Sequence, residues 1–409
     1  MTEWPSGILQ SEAREIIESL RNGVPSRRYI ARLTVGREDQ ISRLIKTLSL
    51  PSETSNRKLL IEANYGSGKS HLLRLIKEHA LSEGYVVSLI DLNARGGVRF
   101  HLLQTVLSET FRQIELPEGG LGIRDLLIKF HEVDENQLGT EAKLIRSDIT
   151  SNGNWEAPRK FLSHPLWFSL RAWHYSQFSE VQDAIVNFLE NSRSYNGETT
   201  YLRNILAYNL RYGFHERRYG IPYGEYLSFA RYNYFHSWNA FNDLDALAVA
   251  SGYKGFVLLV DEVEDILTNL NNIGWQKICF ENLFKFFDDR VFKGRAYFAV
   301  TPDFVKKCRA RLLNKGEYSF PTDKFEQLTN IKMSPVTEKE FFQVAVKICE
   351  AHKIAYSWPA EDYFNDSDLD RYTTEAYKRS SIDQVRQATT GLVTKLDMAR
   401  SNYRKDSRK

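Results

Sequence analysis

The sequence predicts an α/β fold on a parallel sheet with helices on both faces, and three observations predict it. A short apolar strand at the head of KLLIEANYGSGKS, residues 58–70, runs into the loop Gly66-Ser67-Gly68-Lys69-Ser70, and the helical pattern HLLRLIKEHA follows at once. The run VLLVDEVED, residues 257–265, carries four apolar residues into a pair of acids. Strand patterns at 85–92, 255–262 and 296–304 are separated by segments with helical spacing, and this alternation implies parallel pairing, with ligands at the carboxyl ends of the strands.

In chain order, residues 1–50 form an N-terminal helical segment, in which the stretch after MTEWPSGIL turns amphipathic. Residues 51–97 form the first part of the core: a Ser/Asn/Thr-rich loop, the first strand, the Gly-rich loop, its helix and the buried strand YVVSLIDL. Strand signals then stop. From 98 to 250, RFHLLQTVLSETFRQI, GIRDLLIKFHEV, PLWFSLRAWHYSQF, VQDAIVNFLENS and FNDLDALAVAS space apolar residues at three and four, which predicts a large all-helical insertion. Residues 251–336 resume the core with GFVLLVDE, a helical stretch, AYFAVTPDF and a short last strand at 330–336. Helices at 338–352, about 360–363, 371–379 and 382–400 make residues 337–409 a C-terminal helical lid with a basic tail.

The Gly-rich loop has the composition of a phosphate cradle. Backbone N–H groups around 66–70, opening onto a helix N-terminus, concentrate positive potential where the oxygens of a triphosphate would sit. Lys69 supplies a point charge for the β- and γ-phosphates and Ser70 a hydroxyl for Mg²⁺, while Asn64, Tyr65, Gly66, Ser67, Gly68 and His71 complete the cradle. This is the context of a P-loop NTPase. Ala63 stands where the G-x-x-x-x-G-K-[ST] spacing has its first glycine, and a methyl fits there if φ stays negative.

Asp261 and Glu262 are expected at the end of their strand, beside the phosphate loop: Asp261 to hold Mg²⁺ through water, Glu262 to orient and deprotonate an attacking water. Glu264 and Asp265 read as negative charge at the start of the next helix. Thr301 ends the following strand, where it could touch the γ-phosphate, as the sensor residue of AAA+ ATPases does, or cap the turn before Pro302. Arg309, Arg311 and Arg386 are arginines able to stabilise charge on a transferred phosphate, although an arginine in such a helix is more often a solvated charge than a finger.

Composition sets bounds. With 409 residues, 42% hydrophobic and 26% charged, the chain can build two or three cores, and no apolar run approaches the roughly 18 residues of a membrane span. The N-terminus is unlike a signal peptide, and a cytoplasmic location is expected. Cys279, Cys308 and Cys349 form no C-x-x-C pair and read as core residues rather than a disulfide framework or a zinc site. A net charge of +3 does not by itself indicate a nucleic-acid partner. Local composition does better: between 201 and 241, Arg203, Arg211, Arg217, Arg218 and Arg231 are interleaved with tyrosines and phenylalanines. That mixture suits base stacking with phosphate neutralisation, a helical core or a protein interface. The tail, with Arg400, Arg404, Lys405, Arg408 and Lys409, is a second candidate DNA contact or a solubilising end.

The segments AREIIESLRNGVPSRRYIARLTVGREDQISRL, NYGSGKSHLLRLIKEHA, ALAVASGYKGFVLLVDEVEDI and IKMSPVTEKEFFQVAVKICEAH together resemble the BREX phage-defence ATP-binding proteins of the BrxC/BrxD type. The resemblance implies an AAA+, initiator-like P-loop ATPase with ATP and Mg²⁺, a homo-oligomer working with other defence proteins or a helicase, on DNA or on a DNA-bound partner. A slow ATP-dependent switch, or a helicase loader without direct DNA contact, is the other function it allows. Within it, Gly36 and Arg37 of the box Val35-Gly36-Arg37-Glu38 are similar to the segment that packs near adenine in origin initiators. Where initiators often carry a Pro-Arg pair opening the last lid helix, this chain has Ser381-Ile382, which leaves Arg386 as the substitute.

Overall fold

The computed structural model describes residues 7–23, 30–51, 57–64, 68–92, 98–151, 160–176, 178–191, 229, 235–268, 270–334, 336–378 and 384–407. Its centre is a sheet of six strands: β1 (Lys58–Glu62), β2 (Val86–Asp91), β3 (Ile114–Glu115), β4 (Phe256–Asp261), β5 (Arg295–Val300) and β6 (Asn330–Lys332). Their order across the sheet is β3-β2-β4-β5-β1-β6, parallel throughout except for the antiparallel β3. The acids of β4 are therefore not immediately beside the loop that follows β1: β5 intervenes.

Strict alternation along the strands divides the apolar residues between two layers. Leu60, Val86, Ile90, Leu258, Val260, Phe298 and Val300 face a core formed with the helices Leu103–Arg112, Phe235–Ala250 and Ile273–Phe287. Leu59, Ile61, Val87, Val257, Leu259, Tyr297 and Ala299 face the helices Lys69–Ser82 and Glu38–Leu48. The described helices of 98–250 are thus continuous with the sheet core, because with Ile273–Phe287 they cover one face.

That segment is not all helical. Ile114 and Glu115 pair with Ser88 and Val87 and close the outer edge of β2, while Glu115 holds Lys77 of the loop helix through two bonds of 2.7 and 2.9 Å. Two residues are too few to leave a periodic signal, and what makes them a strand is an open edge elsewhere in the chain.

A third core joins the ends of the described chain. Ala13, Ile16, Ile17 and Leu20 of the helix Gln10–Arg21 pack with Ala345, Ile348, Leu392, Val393 and Leu396 of the helices Glu338–Tyr356 and Gln384–Asp406. The first of these C-terminal helices begins in a capping box between Thr337 and Glu340 and runs past 352 to Tyr356, ending at Ser357 with φ 48°. The helix Asp366–Lys378 starts earlier than its apolar spacing suggests, because Asn365 and Asp368 exchange side-chain-to-backbone bonds at its head. The last helix extends beyond 400 because Tyr403 packs on Trp358 and Tyr363. The tail through 406 is helix rather than a loose end, and Arg400 lies over the ring of Tyr356. Cys279 and Cys308 are buried and Cys349 partly so, all unbridged. Among the described residues no helix is long and apolar enough to cross a membrane.

Candidate functional site

β1 is buried over its whole length and delivers the chain to Ala63, whose N–H donates to Val300 O at 3.0 Å. Ala63 has no positive φ, and its methyl is fully buried with Ile61 and Leu72, so the missing glycine costs no strain. Tyr65, Gly66 and Ser67 lie outside the described residues. Gly68 has φ 93° and precedes the helix Lys69–Ser82; a side chain there would be forced into the left-handed region. The first intrahelical bond of that turn runs from Leu72 N to Gly68 O, so the helix itself makes no use of the N–H groups before it.

Lys69 is buried, and its ammonium donates to Glu264 Oε1 at 2.5 Å. Glu264 is only 6% exposed, and its other oxygen, Oε2, has no hydrogen-bond partner. Ser70 is exposed at the head of the helix. His71 Nε2 is 2.8 Å from Thr34 Oγ1, and burial, with Arg37 and Arg74 nearby, brings its pKa down to about 4, so the ring is neutral.

On the other side of β5, β4 ends in Asp261, which is buried and accepts from Glu262 N at 2.9 Å. Glu262 turns the chain out of the strand with φ 56°, a left-handed conformation that costs a residue with a Cβ about 1–2 kcal/mol. Asp91 stands in register with Asp261 at the end of β2. Burial, then Asp261, Asp91, Asp265 and Glu264, raise the pKa of Glu262 above the ordinary carboxylate value. Burial and Asp261 raise that of Asp91. One end of a parallel sheet thus carries a buried ammonium at a helix head and a carboxylate of raised proton affinity.

A family model matches residues 8–135 and 235–409, which include every side chain placed so far. The chain belongs to the BREX system ATP-binding protein BrxC/D family. No curated protein and no solved structure matches the chain. The family match passes over 136–234, and with it most of the Arg- and Tyr-rich stretch; Arg217 and Arg218 also lie outside the described residues.

The side chains present suit the ligand that the BrxC/D family name implies. A buried ammonium paired with Glu264, at the head of a helix led by Gly68, places positive charge beside first-turn N–H groups, as a polyanion site needs. Among the described residues no three His, Cys, Asp or Glu side chains are grouped to hold a metal. A divalent ion would therefore take oxygens from a phosphate besides Ser70 and Asp261.

The remaining candidates are spread more widely. Thr301 is buried at the tip of β5, between the loop strand and the acid strand, and its side chain bonds to Asp303 in the turn before the next helix. Arg309 is engaged within the chain by Glu326 at 2.8 Å and Thr322 O at 3.2 Å. Arg311 is partly exposed in the same helix, Phe304–Asn314, and among the described residues its guanidinium makes no ion pair. Arg386 lies against Gly23, where the N-terminal helix meets the last one. Gly36, with φ 67°, is pressed against the Glu340 side chain, and Arg37 donates to Ser334 O at 2.6 Å. Lys347 donates to Arg32 O and Thr34 O, so residues 32–37 bridge His71 on the loop helix and the C-terminal helices.

Sequence reasoning missed Asp91 and took Glu264 for a helix-start charge. An acid closing an apolar strand was the available signal for Asp91, as it was for Asp261. Nothing in the local pattern pointed from Glu264 to Lys69, 195 positions away.

Proposed function

We propose that this chain is a Mg²⁺-dependent P-loop ATPase of the AAA+ kind, cytoplasmic, oligomeric and acting in BREX-type defence on DNA or on a DNA-bound partner. The observation that carries this reading is the convergence of Lys69 and the Asp261–Glu262 pair at the carboxyl ends of strands in one parallel sheet. Lys69 binds the terminal phosphates, and the first-turn N–H groups after Gly68 orient their oxygens. Mg²⁺ held by Ser70 and, through water, by Asp261 would neutralise phosphate charge. Glu262, whose proton affinity is raised by its surroundings, takes the proton from the attacking water. Thr301, at the tip of the strand between loop and acids, suits the sensor position. Arg311 is the finger candidate for a neighbouring subunit, and Arg386 a candidate of the lid. Residues 32–37 suit the adenine side, because they connect the loop helix to a C-terminal lid.

The test is Glu262→Gln, which keeps shape and removes the base. It should retain ATP and lose hydrolysis by 10²-fold or more; hydrolysis near the wild-type rate would assign the base elsewhere.

A second reading, a slow nucleotide switch or loader that recruits partners without touching DNA, draws on the Lys69–Glu264 pair, which engages the proposed phosphate-binding charge within the chain. ATPase rates with and without DNA separate the two: strong stimulation supports action on DNA, and near-zero turnover with tight nucleotide retention supports the switch. For DNA contact, Arg217→Ala with Arg218→Ala should weaken salt-sensitive binding, and binding unchanged in that variant leaves the tail.

A further inference from the structure

We propose that Glu264 is the resident counter-anion of Lys69, which the terminal phosphate of a nucleotide has to displace, so that binding is an exchange of carboxylate for phosphate. This rests on the reading of Lys69 as the phosphate-binding lysine and adds to it a residue that sets nucleotide affinity.

Three observations carry it. The ammonium and the carboxylate meet at 2.5 Å with both side chains less than 10% exposed, so the pair lies within the site rather than on a solvated rim. Glu264 Oε2 is buried without a partner, so Lys69 alone compensates this carboxylate, and moving out to water would satisfy both oxygens. Glu264 also belongs to a turn rather than a long rigid element: it follows the left-handed Glu262 and precedes the four-residue helix Asp265–Thr268. The turn itself is anchored by Val263 and Ile266 in the core and by Val263 N on Ala299 O, so release of Lys69 needs only rotation of the Glu264 side chain.

The charge balance favours exchange over coexistence. Among the described residues Lys69 is the one cation paired with Glu264, and a triphosphate arriving beside an unpaired buried carboxylate would meet like charge at close range. Glu264 thus excludes weak anions from the loop and yields to a ligand that brings several phosphate oxygens and a divalent ion together.

The experiment is calorimetric titration of the full chain with a non-hydrolysable ATP analogue and Mg²⁺, in wild type and in Glu264→Gln. The variant keeps shape and hydrogen-bond capacity but loses the competing charge, and its Kd should fall at least tenfold. An unchanged or weaker Kd would overturn the exchange while leaving the ATP-binding reading in place. No uptake by either protein would remove that reading, and the exchange with it. Should Glu264→Gln fail to fold, Glu264→Asp keeps the charge but shortens the reach to Lys69. Its Kd should fall about threefold, and an equal or weaker Kd again overturns the proposal.

Discussion

Asp91 and Asp261 stand opposite each other at the carboxyl ends of two adjacent parallel strands. Like charges directly across a sheet destabilise it, and here Asp261 is buried while Asp91 reaches the surface. A neutral partner at 91 should relieve the repulsion. We expect Asp91→Asn to raise stability without nucleotide by about 0.5–1 kcal/mol at pH 7. The sign with pH follows from the raised folded pKa of Asp91: its contribution is complete at low pH and is lost as pH rises past 3.8 through the folded value. The advantage of the variant should therefore shrink toward pH 4. Urea midpoints at the two pH values measure it, and a gain equal at both would mean that the repulsion is not the cause.

Glu262 combines a strained backbone with the proposed base. Asparagine tolerates the left-handed region far better, so Glu262→Asn should be as stable as wild type or up to about 1 kcal/mol more stable, while losing hydrolysis. A denaturant curve read beside an ATPase assay tests both halves. A clear loss of stability would show that the glutamate side chain, not the turn, sets the conformation.

Arg21, Asp397, His352 and Trp358 tie the N-terminal helix to the C-terminal ones. Arg21 donates twice to Asp397, at 2.9 and 3.0 Å, the imidazole of His352 meets Asp397 at 3.1 Å, and Trp358 Nε1 donates to His352 Nδ1 at 3.0 Å. The tryptophan N–H makes Nδ1 the acceptor, so Nε2 carries the proton and donates to the carboxylate. Burial lowers the pKa of His352 against the pull of Asp397. Asp397 is pushed up by burial, but its bonds from Arg21 and His352 outweigh this and lower it. Both shifts act in one direction. The histidine contribution is full above pH 6.5 and drains as pH falls below it, and the aspartate contribution is lost further down, as pH falls below 3.8 through the folded value. Hydrogen-exchange protection of 10–21 and 384–406 should therefore decline on acidification from pH 7 to 5. Asp397→Ala should lower it already at pH 7 by about 2 kcal/mol. Protection unchanged in that variant would mean that apolar packing alone joins the two ends.

How far the chain could be read without its structure depended on how local each signal was. The helix that starts after Gly68, the strands that close at Asp261 and just before Thr301 and most helix positions were legible, because each rests on periodicity or on residues close in sequence. Even the alanine at 63 could be judged from the sign of φ that its turn demands. The ends of elements were not, because they depend on distant partners: Tyr403 carries the last helix to 406 by packing on Trp358, and β3 forms because β2 has an edge to cover.

By itself, the sequence determined that an ammonium follows a glycine-rich turn at a helix head, that two acids close an apolar strand, and that the chain carries the family's pattern at both ends. Local rules suffice for that, since backbone sterics, capping and hydrophobic period act over a few residues. Tertiary structure alone decided that β5 separates the acids from the loop, that Asp91 joins Asp261, that Glu264 holds Lys69, and that the first helix packs into the last core. Those outcomes follow from strand order and register, which are set by burying two sheet faces at once. No window of a few residues carries that information.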